Sequence, residues 1–280
     1  MQSLGEKRQQ ERERGKIDFQ LVNGKEVRHY INMARYDNAA SRWASMEDLF
    51  ATDSDFIDLL MLKLTGKYPG YRQKKLLLRA LMTVSMGTGY HAPSVLAPRL
   101  AASTTKNGNF AVINGLIAGL STVGTDHLGA VAGVMELFVK IKEEAGHGIK
   151  EYAENFVSGE IAAGRKIPGF GHPVYEKDER AELLLKEIEK GFDNEYIEAY
   201  SAVAGKLRDE KGIFPNIDAA LALAYLSLGF EPEHGIYLSF LGRSLNMMCH
   251  IMDELPRKPF SFLNEAVPLE KNAEFENGKL

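Results

Sequence analysis

Three ionisable residues stand at breaks in the chain just ahead of apolar, helix-forming stretches. They are His127 in Gly124-Thr-Asp-His-Leu-Gly129, His172 in Gly169-Phe-Gly-His-Pro-Val-Tyr175, and Asp218 in Asn216-Ile-Asp218. Two imidazoles and a carboxylate can move protons and stabilise an oxyanion. The same types also suit a two-histidine, one-carboxylate iron site, which would leave the neighbouring glycines and arginines without a use. Each residue has a plainer role available. A histidine in a glycine-rich turn can simply face solvent, and Asp218 can cap the helix behind it for about 1 kcal/mol. An apolar setting would instead raise the Asp218 pKa toward values useful for proton transfer, because burial disfavours the charged form.

Cations recur near these breaks. Arg243 sits in Gly242-Arg-Ser among apolar neighbours, where a guanidinium needs an anion. His91, in Tyr90-His-Ala-Pro-Ser94, opens a helix whose unpaired N–H groups favour negative charge. The span Gly164 to Arg180 holds three glycines and two prolines, so its backbone can come close to a ligand or to the protein itself. Pro173 then fixes the chain direction directly after His172.

Helices must position these groups. Asp55 and its neighbours cap an amphipathic segment through Leu64, and the same pattern returns over 73–86, 95–102, 110–120, 130–141, 151–163, 181–190, 194–210, 218–226 and 235–252. These ten segments, with no strand series beyond a hairpin around Asn23-Gly24, predict an all-α fold. Residues 110–120 are apolar nearly all round and are expected to be buried, their small residues allowing close contact inside the fold or between subunits. Residues 1–50 form an N-terminal arm with a small irregular segment, 51–260 the helical core, and 261–280 a tail.

Composition narrows the function. The 280-residue chain carries a net charge of −4, which gives no reason to expect nucleic acid. The single Cys249 excludes an intrachain disulfide and a cysteine-based zinc site, and it reads as a small packing residue rather than a nucleophile. With no apolar run of membrane-span length and no signal peptide, a cytoplasmic protein is expected.

Gly169-Phe-Gly-His172-Pro-Val-Tyr175 and Asp178-Glu-Arg180, with the order His127, His172, Asp218, resemble the citrate synthase superfamily signature Gly-x-Gly-His-x-Val-Tyr followed by Asp-Pro-Arg. The resemblance spans His91 to Arg257. It implies a citrate-synthase-like multi-helix fold with a reduced N-terminal region and a small domain inserted around 165–225. It further implies that His127 stabilises an acetyl-CoA enolate, that Asp218 exchanges a proton with the methyl carbon, and that His172 acts at the oxaloacetate carbonyl. His91, Arg180, Arg243 and Arg257 would grip carboxylates, Arg257 from a neighbouring subunit. Lys166, Ile167, Pro168, Gly169, Phe170 and Gly171 would wrap coenzyme A.

The chain departs from the pattern at three places: Tyr90-His91-Ala92 for Asp-His-Gly, His127-Leu128-Gly129 for His-Gly-Gly, and Glu179 for proline. In its compactness it resembles the free-standing citryl-CoA lyases, counterparts of the C-terminal module of ATP-citrate lyase. The implied activity is cleavage of citryl-CoA to acetyl-CoA and oxaloacetate, with a citrate or 2-methylcitrate synthase as the alternative and a silent CoA-binding helical module as a third reading. Coenzyme A enters as part of the substrate, with no permanent cofactor and no metal. A homodimer or higher homo-oligomer is expected, with a separate citryl-CoA synthetase supplying the substrate and no nucleic-acid or membrane partner.

Overall fold

A computed structural model of the chain describes residues 17–22, 25–30, 33–37, 42–86, 92–105, 108–124, 127–171 and 176–261, with side chains from residue 49 onward. The chain divides into two compact units, residues 1–75 and 76–280.

The first unit opens with two antiparallel hairpins. β1 (Ile17–Val22) pairs with β2 (Lys25–Tyr30), and β3 (Met33–Asp37) pairs with β4 (Arg42–Ser45). Val22 stands opposite Lys25, the register a two-residue turn gives, while Asn23 and Gly24 themselves lie outside the described residues. The second hairpin was not expected, since strands of four and five residues are too short for an alternation to stand out. α1 (Met46–Ala51) follows, then α2 (Phe56–Thr65). Asp55 caps α2 by accepting from the Ile57 and Asp58 amides, and the Asp58 carboxylate accepts from the Asp55 amide at 2.9 Å, a reciprocal box.

α3 (Tyr71–Ser85) carries the chain into the second unit. There follow α4 (Pro93–Thr104), α5 (Gly108–Leu120), α6 (Ala130–Ala145), α7 (Ile149–Ala162), α8 (Glu179–Glu189), α9 (Glu195–Lys211), α10 (Ile217–Ser227) and α11 (Pro232–Glu254). Among its described residues the unit's named elements are all helices, joined by loops that carry only isolated β-bridges such as Phe170 with Pro215. At its centre lies α10, buried on every side from Ala219 to Leu226 and packed by α6, α8, α9 and α11. No described helix is long and apolar enough to cross a membrane.

α4 and α5 pack on α11. A Cβ on Gly115 would fall 2.6 Å from Ile251 Cδ1, and one on Gly119 2.7 Å from Met247 Sδ, so the small residues serve helix contact within the unit. Only the Ala111, Gly115 and Gly119 stripe is buried, however. Phe110, Ile113 and Ile117 are each more than half exposed, which corrects the expectation of a helix buried all round. One face suffices to seat α5, and apolar composition alone does not reveal that the opposite face is left open. Cys249 is also exposed rather than packed, because the faces of α11 directed at its neighbours are taken by Met247 and Ile251.

A buried ion pair ties α4 to the end of α11. Arg99 Nη2 lies 3.0 Å from Glu254 Oε2, and both residues are at most 2% exposed. Arg99→Leu is expected to destabilise by about 3–5 kcal/mol in urea unfolding, because it strands a buried carboxylate. The double variant Arg99→Leu/Glu254→Leu should recover most of that loss. Equal cost in the single and double variants would show that packing, not charge, is what the pair supplies.

Candidate active site

Asp218 is delivered by the entrance of α10. The cap of this helix is Asn216, whose side chain accepts from the Asp218 amide at 2.9 Å. The plainer role of Asp218 as N-cap is therefore filled by its neighbour, and the Asp218 carboxylate accepts no hydrogen bond among the described residues. It keeps one partly open face. Burial raises its pKa, with Arg180 and Arg243 opposing the rise and Asp178 adding to it. A carboxyl left unbonded and held above its usual range can both take and return a proton.

Arg243 projects from the middle of α11 and is 7% exposed, and its Nε and Nη1 have no hydrogen-bond partner among the described residues. Burial and the nearby Arg180 depress it to about 10, partly offset by Asp218. It stays charged at neutral pH, a buried guanidinium with two donors to offer an anion. The same charge reaches His127. There burial first and Arg243 second lower the imidazole pKa, so His127 is neutral at pH 7. Its Nε2 is buried and unpartnered, as suits a group that donates to an oxygen of the substrate. His127, Asp218, Arg180 and Arg243 thus form one electrostatic group.

The turn carrying His127 is closed by reciprocal hydrogen bonds between His127 and Gly124, at 3.0 and 3.1 Å. The next residue, Leu128, has φ of 64°. A left-handed backbone costs a residue with a Cβ about 1–2 kcal/mol, and this is the position where the family signature places glycine. Leu128→Gly is expected to raise the melting temperature and preserve turnover. Lower stability would mean that the leucine side chain compensates for its own strain by packing.

Arg180 stands at the head of α8, held by the residue that opens the Asp178-Glu-Arg180 signature, to which the sequence alone assigns no role of its own. Asp178 caps α8 and accepts from Arg180 Nε at 2.9 Å and Nη2 at 2.8 Å, while its second oxygen also accepts from the Ile217 amide at 3.1 Å. Burial alone would raise the Asp178 pKa, but the Arg180 hydrogen bond and charge and two backbone N–H groups bring it below the usual carboxylate range. Asp178 therefore aims Arg180 and anchors the start of α10 together. Its sequence signal was a carboxylate two residues before an arginine at a helix start.

The loop of residues 164–171 is fastened to the same place. The Asn216 amide donates to Gly169 O at 2.9 Å, Asn216 Nδ2 to Gly171 O at 2.8 Å, and the Gly171 amide to Phe214 O at 2.8 Å. Gly169 has φ of 83°, and a Cβ there would meet Val134 Cγ2 at 2.6 Å and the Ala219 backbone N at 3.2 Å. Part of the glycine requirement is thus the close approach of the loop to α6 and α10. Asn216, two residues before Asp218, was the overlooked staple. Within the loop Ile167 and Gly169 are buried, Lys166 and Pro168 are exposed, and Phe170 is half-buried. Beside it lies a cavity of about 270 Å³, walled by Leu137, Lys140, Phe156, Lys166, Ile167 and Pro168. A larger cavity of about 610 Å³, lined by Lys150, Glu198 and Lys206 among others, contains none of the expected site residues.

His91 and His172 lie outside the described residues. Arg257 is exposed beyond the end of α11. Among the described residues no three His, Cys, Asp or Glu side chains gather as metal ligands.

The fold is that of the citrate synthase family. The family model for the citrate synthase C-terminal domain matches residues 11–260, and the chain belongs to that family. Citrate synthase of Heyndrickxia coagulans is 29% identical over 198 residues, covering 68% of this chain and 50% of that protein. The chain spans about half the length of the curated relatives it matches. The structure of citryl-CoA lyase from Hydrogenobacter thermophilus superposes with a TM-score of 0.68 at 24% identity over 92% of both chains. Citrate synthase from Thermotoga maritima gives 0.58 at 24% identity, over 72% of this chain and 54% of that one.

Proposed function

We propose that this protein is a citryl-CoA lyase, cleaving citryl-CoA to acetyl-CoA and oxaloacetate. The observation that carries the reading is the Asp218 carboxyl, freed from capping by Asn216 and held protonatable by burial. His172 takes the proton of the citryl hydroxyl, and the bond between the carbinol carbon and the thioester methylene breaks. The bond pair flows into the thioester as an enolate, whose oxygen accepts a hydrogen bond from neutral His127. Asp218 then gives its proton to the terminal carbon, leaving acetyl-CoA and oxaloacetate. Arg243 and Arg180, with His91, hold the carboxylates, and the 166–171 loop holds coenzyme A.

Cleavage is taken as the first reading because the superposition on the citryl-CoA lyase runs over 92% of this chain and that on the synthase over 72%. The exposed Phe110, Ile113 and Ile117 face of α5 supports self-association, which would let Arg257 serve a second copy's site. Citryl-CoA itself would come from a separate CoA-ligating reaction.

Two assays test the activity. Citryl-CoA with enzyme should release oxaloacetate, read by a coupled NADH-consuming dehydrogenase. Acetyl-CoA with oxaloacetate should give little free thiol, whereas rapid thiol release to citrate would establish a synthase instead.

A further inference from the structure

Behind Asp218 and Arg243 the same two helices bring together a second pair of polar groups. Tyr225 lies two turns beyond Asp218 on α10, and Ser239 lies one turn before Arg243 on α11. Tyr225 is 0% exposed and Ser239 1%, among apolar side chains that include Phe230, packed edge-on to the phenol with ring centres 6.2 Å apart. The two hydroxyls lie close enough for Ser239 to act on the phenol as a hydrogen-bonding neighbour, yet among the described residues neither meets full hydrogen-bond geometry with any group. Buried hydroxyls are nearly always bonded, to protein or to ordered water, because leaving one unsatisfied is costly.

We propose that Tyr225 and Ser239 are positioning residues whose hydroxyls hold buried water, passing a hydrogen bond along the face of α10 to the Asp218 carboxylate. Long helical side chains lean toward the helix N-terminus, so the Tyr225 phenol leans toward Asp218, whose backbone lies about 10 Å away along α10 and whose charge reaches the phenol. Burial keeps the phenol protonated, with the Asp218 charge reinforcing and Ser239 opposing, so it remains a donor throughout the working range. The charged and titratable groups facing Asp218 are Arg180 and Asp178 from the head of α8, Arg243 from α11, and this phenol from its own helix. The arginines favour the ionised carboxylate from the open side, and the relay would favour it from behind. Its function would be to hold one rotamer of Asp218 and to keep the raised pKa from rising so far that the proton is no longer given up.

The inference rests on the proton-transfer role proposed for Asp218, and its test reads the carboxyl directly. NMR titration of isotope-labelled aspartate, with the Asp218 resonance assigned by its loss in Asp218→Asn, follows this group without turnover. In Tyr225→Phe, which preserves the ring packing, Asp218 should titrate at higher pH than in the wild type. Ser239→Ala should shift it the same way and less, and neither variant should melt at a higher temperature. With citryl-CoA, Tyr225→Phe should lower kcat roughly fivefold, about the net worth of one hydrogen bond, with KM unchanged. An unshifted titration with a raised melting temperature would show the phenol to be only an unpaired buried hydroxyl and would overturn the relay. A downward shift would overturn it equally. If wild-type protein fails to cleave citryl-CoA, the titration still gives its answer, so failure of the relay and failure of the lyase reading are told apart.

Discussion

Asp218→Asn is expected to lose citryl-CoA cleavage by about two to four orders of magnitude while still binding coenzyme A. Asparagine keeps the shape and the Asn216-capped entry of α10, because the cap uses the Asp218 backbone amide rather than its side chain. What disappears is the proton that the enolate needs at its terminal carbon. A steady-state assay beside a CoA-binding measurement by calorimetry separates the two effects, and retained turnover would place the proton elsewhere. The same substitution carries a stability signature of opposite sign. Burial raises the Asp218 pKa in the folded state, so the native protein holds this proton more tightly than the unfolded chain does. The resulting stability is present below the unfolded carboxylate value of about 3.9 and is lost as pH climbs through the raised native value. Asp218→Asn should therefore melt higher than wild type at pH 7, with the gain shrinking as pH falls toward 4. A pH-independent gain would point to packing.

The helical scaffold was legible because its signals are local. Apolar periodicity over eleven to sixteen residues sets α6, α8 and α10, and Asp55, Gly66 and Gly212 mark ends where sequence rules place them. Of the candidate site the sequence offered residue types ahead of helices, and four of them, His127, Asp218, Arg180 and Arg243, influence one another electrostatically. What escaped was the division of labour among adjacent polar residues. Asn216 and Asp218 can each cap a helix, and only the backbone geometry decides that Asn216 does so. Asp178 was read only as a member of the Asp178-Glu-Arg180 signature, and its anchoring role escaped because its bond to the Ile217 amide spans 39 residues of chain. The open face of α5 and the exposure of Cys249 depend on which neighbour a helix turns toward, which composition does not encode.

Leu128 is a different case, visible in sequence as a departure but without meaning until its backbone was seen. A non-glycine residue at φ of 64° next to His127 places strain at the site rather than in the scaffold. The same unit leaves Arg243 donors unmatched and Asp218 unbonded, so several local costs collect around one group. Such costs are tolerable when a ligand with complementary charge relieves them, and the proposed citryl-CoA would bring two free carboxylates for the arginines and a thioester oxygen for the His127 donor.

Arg243 gives the sharpest test of that balance. Arg243→Leu is expected to reduce kcat/KM for citryl-CoA by about two to three orders of magnitude, the cost of stranding a desolvated substrate carboxylate. Arg243→Lys should not restore it, because an ammonium cannot reproduce the two-pronged contact of a guanidinium. The free protein should respond the other way. A buried guanidinium beside Arg180, held near 10 with two unmatched nitrogens, is unfavourable until its anion arrives, so Arg243→Leu should melt higher than wild type. Oxaloacetate should then raise the melting temperature of the wild type but not of the variant. Removing this charge also lifts one of the forces holding down the Asp218 and His127 pKa values, so both groups should titrate higher in Arg243→Leu. Unchanged substrate affinity together with unchanged titrations would mean that Arg243 faces neither the substrate nor the Asp218 and His127 side chains.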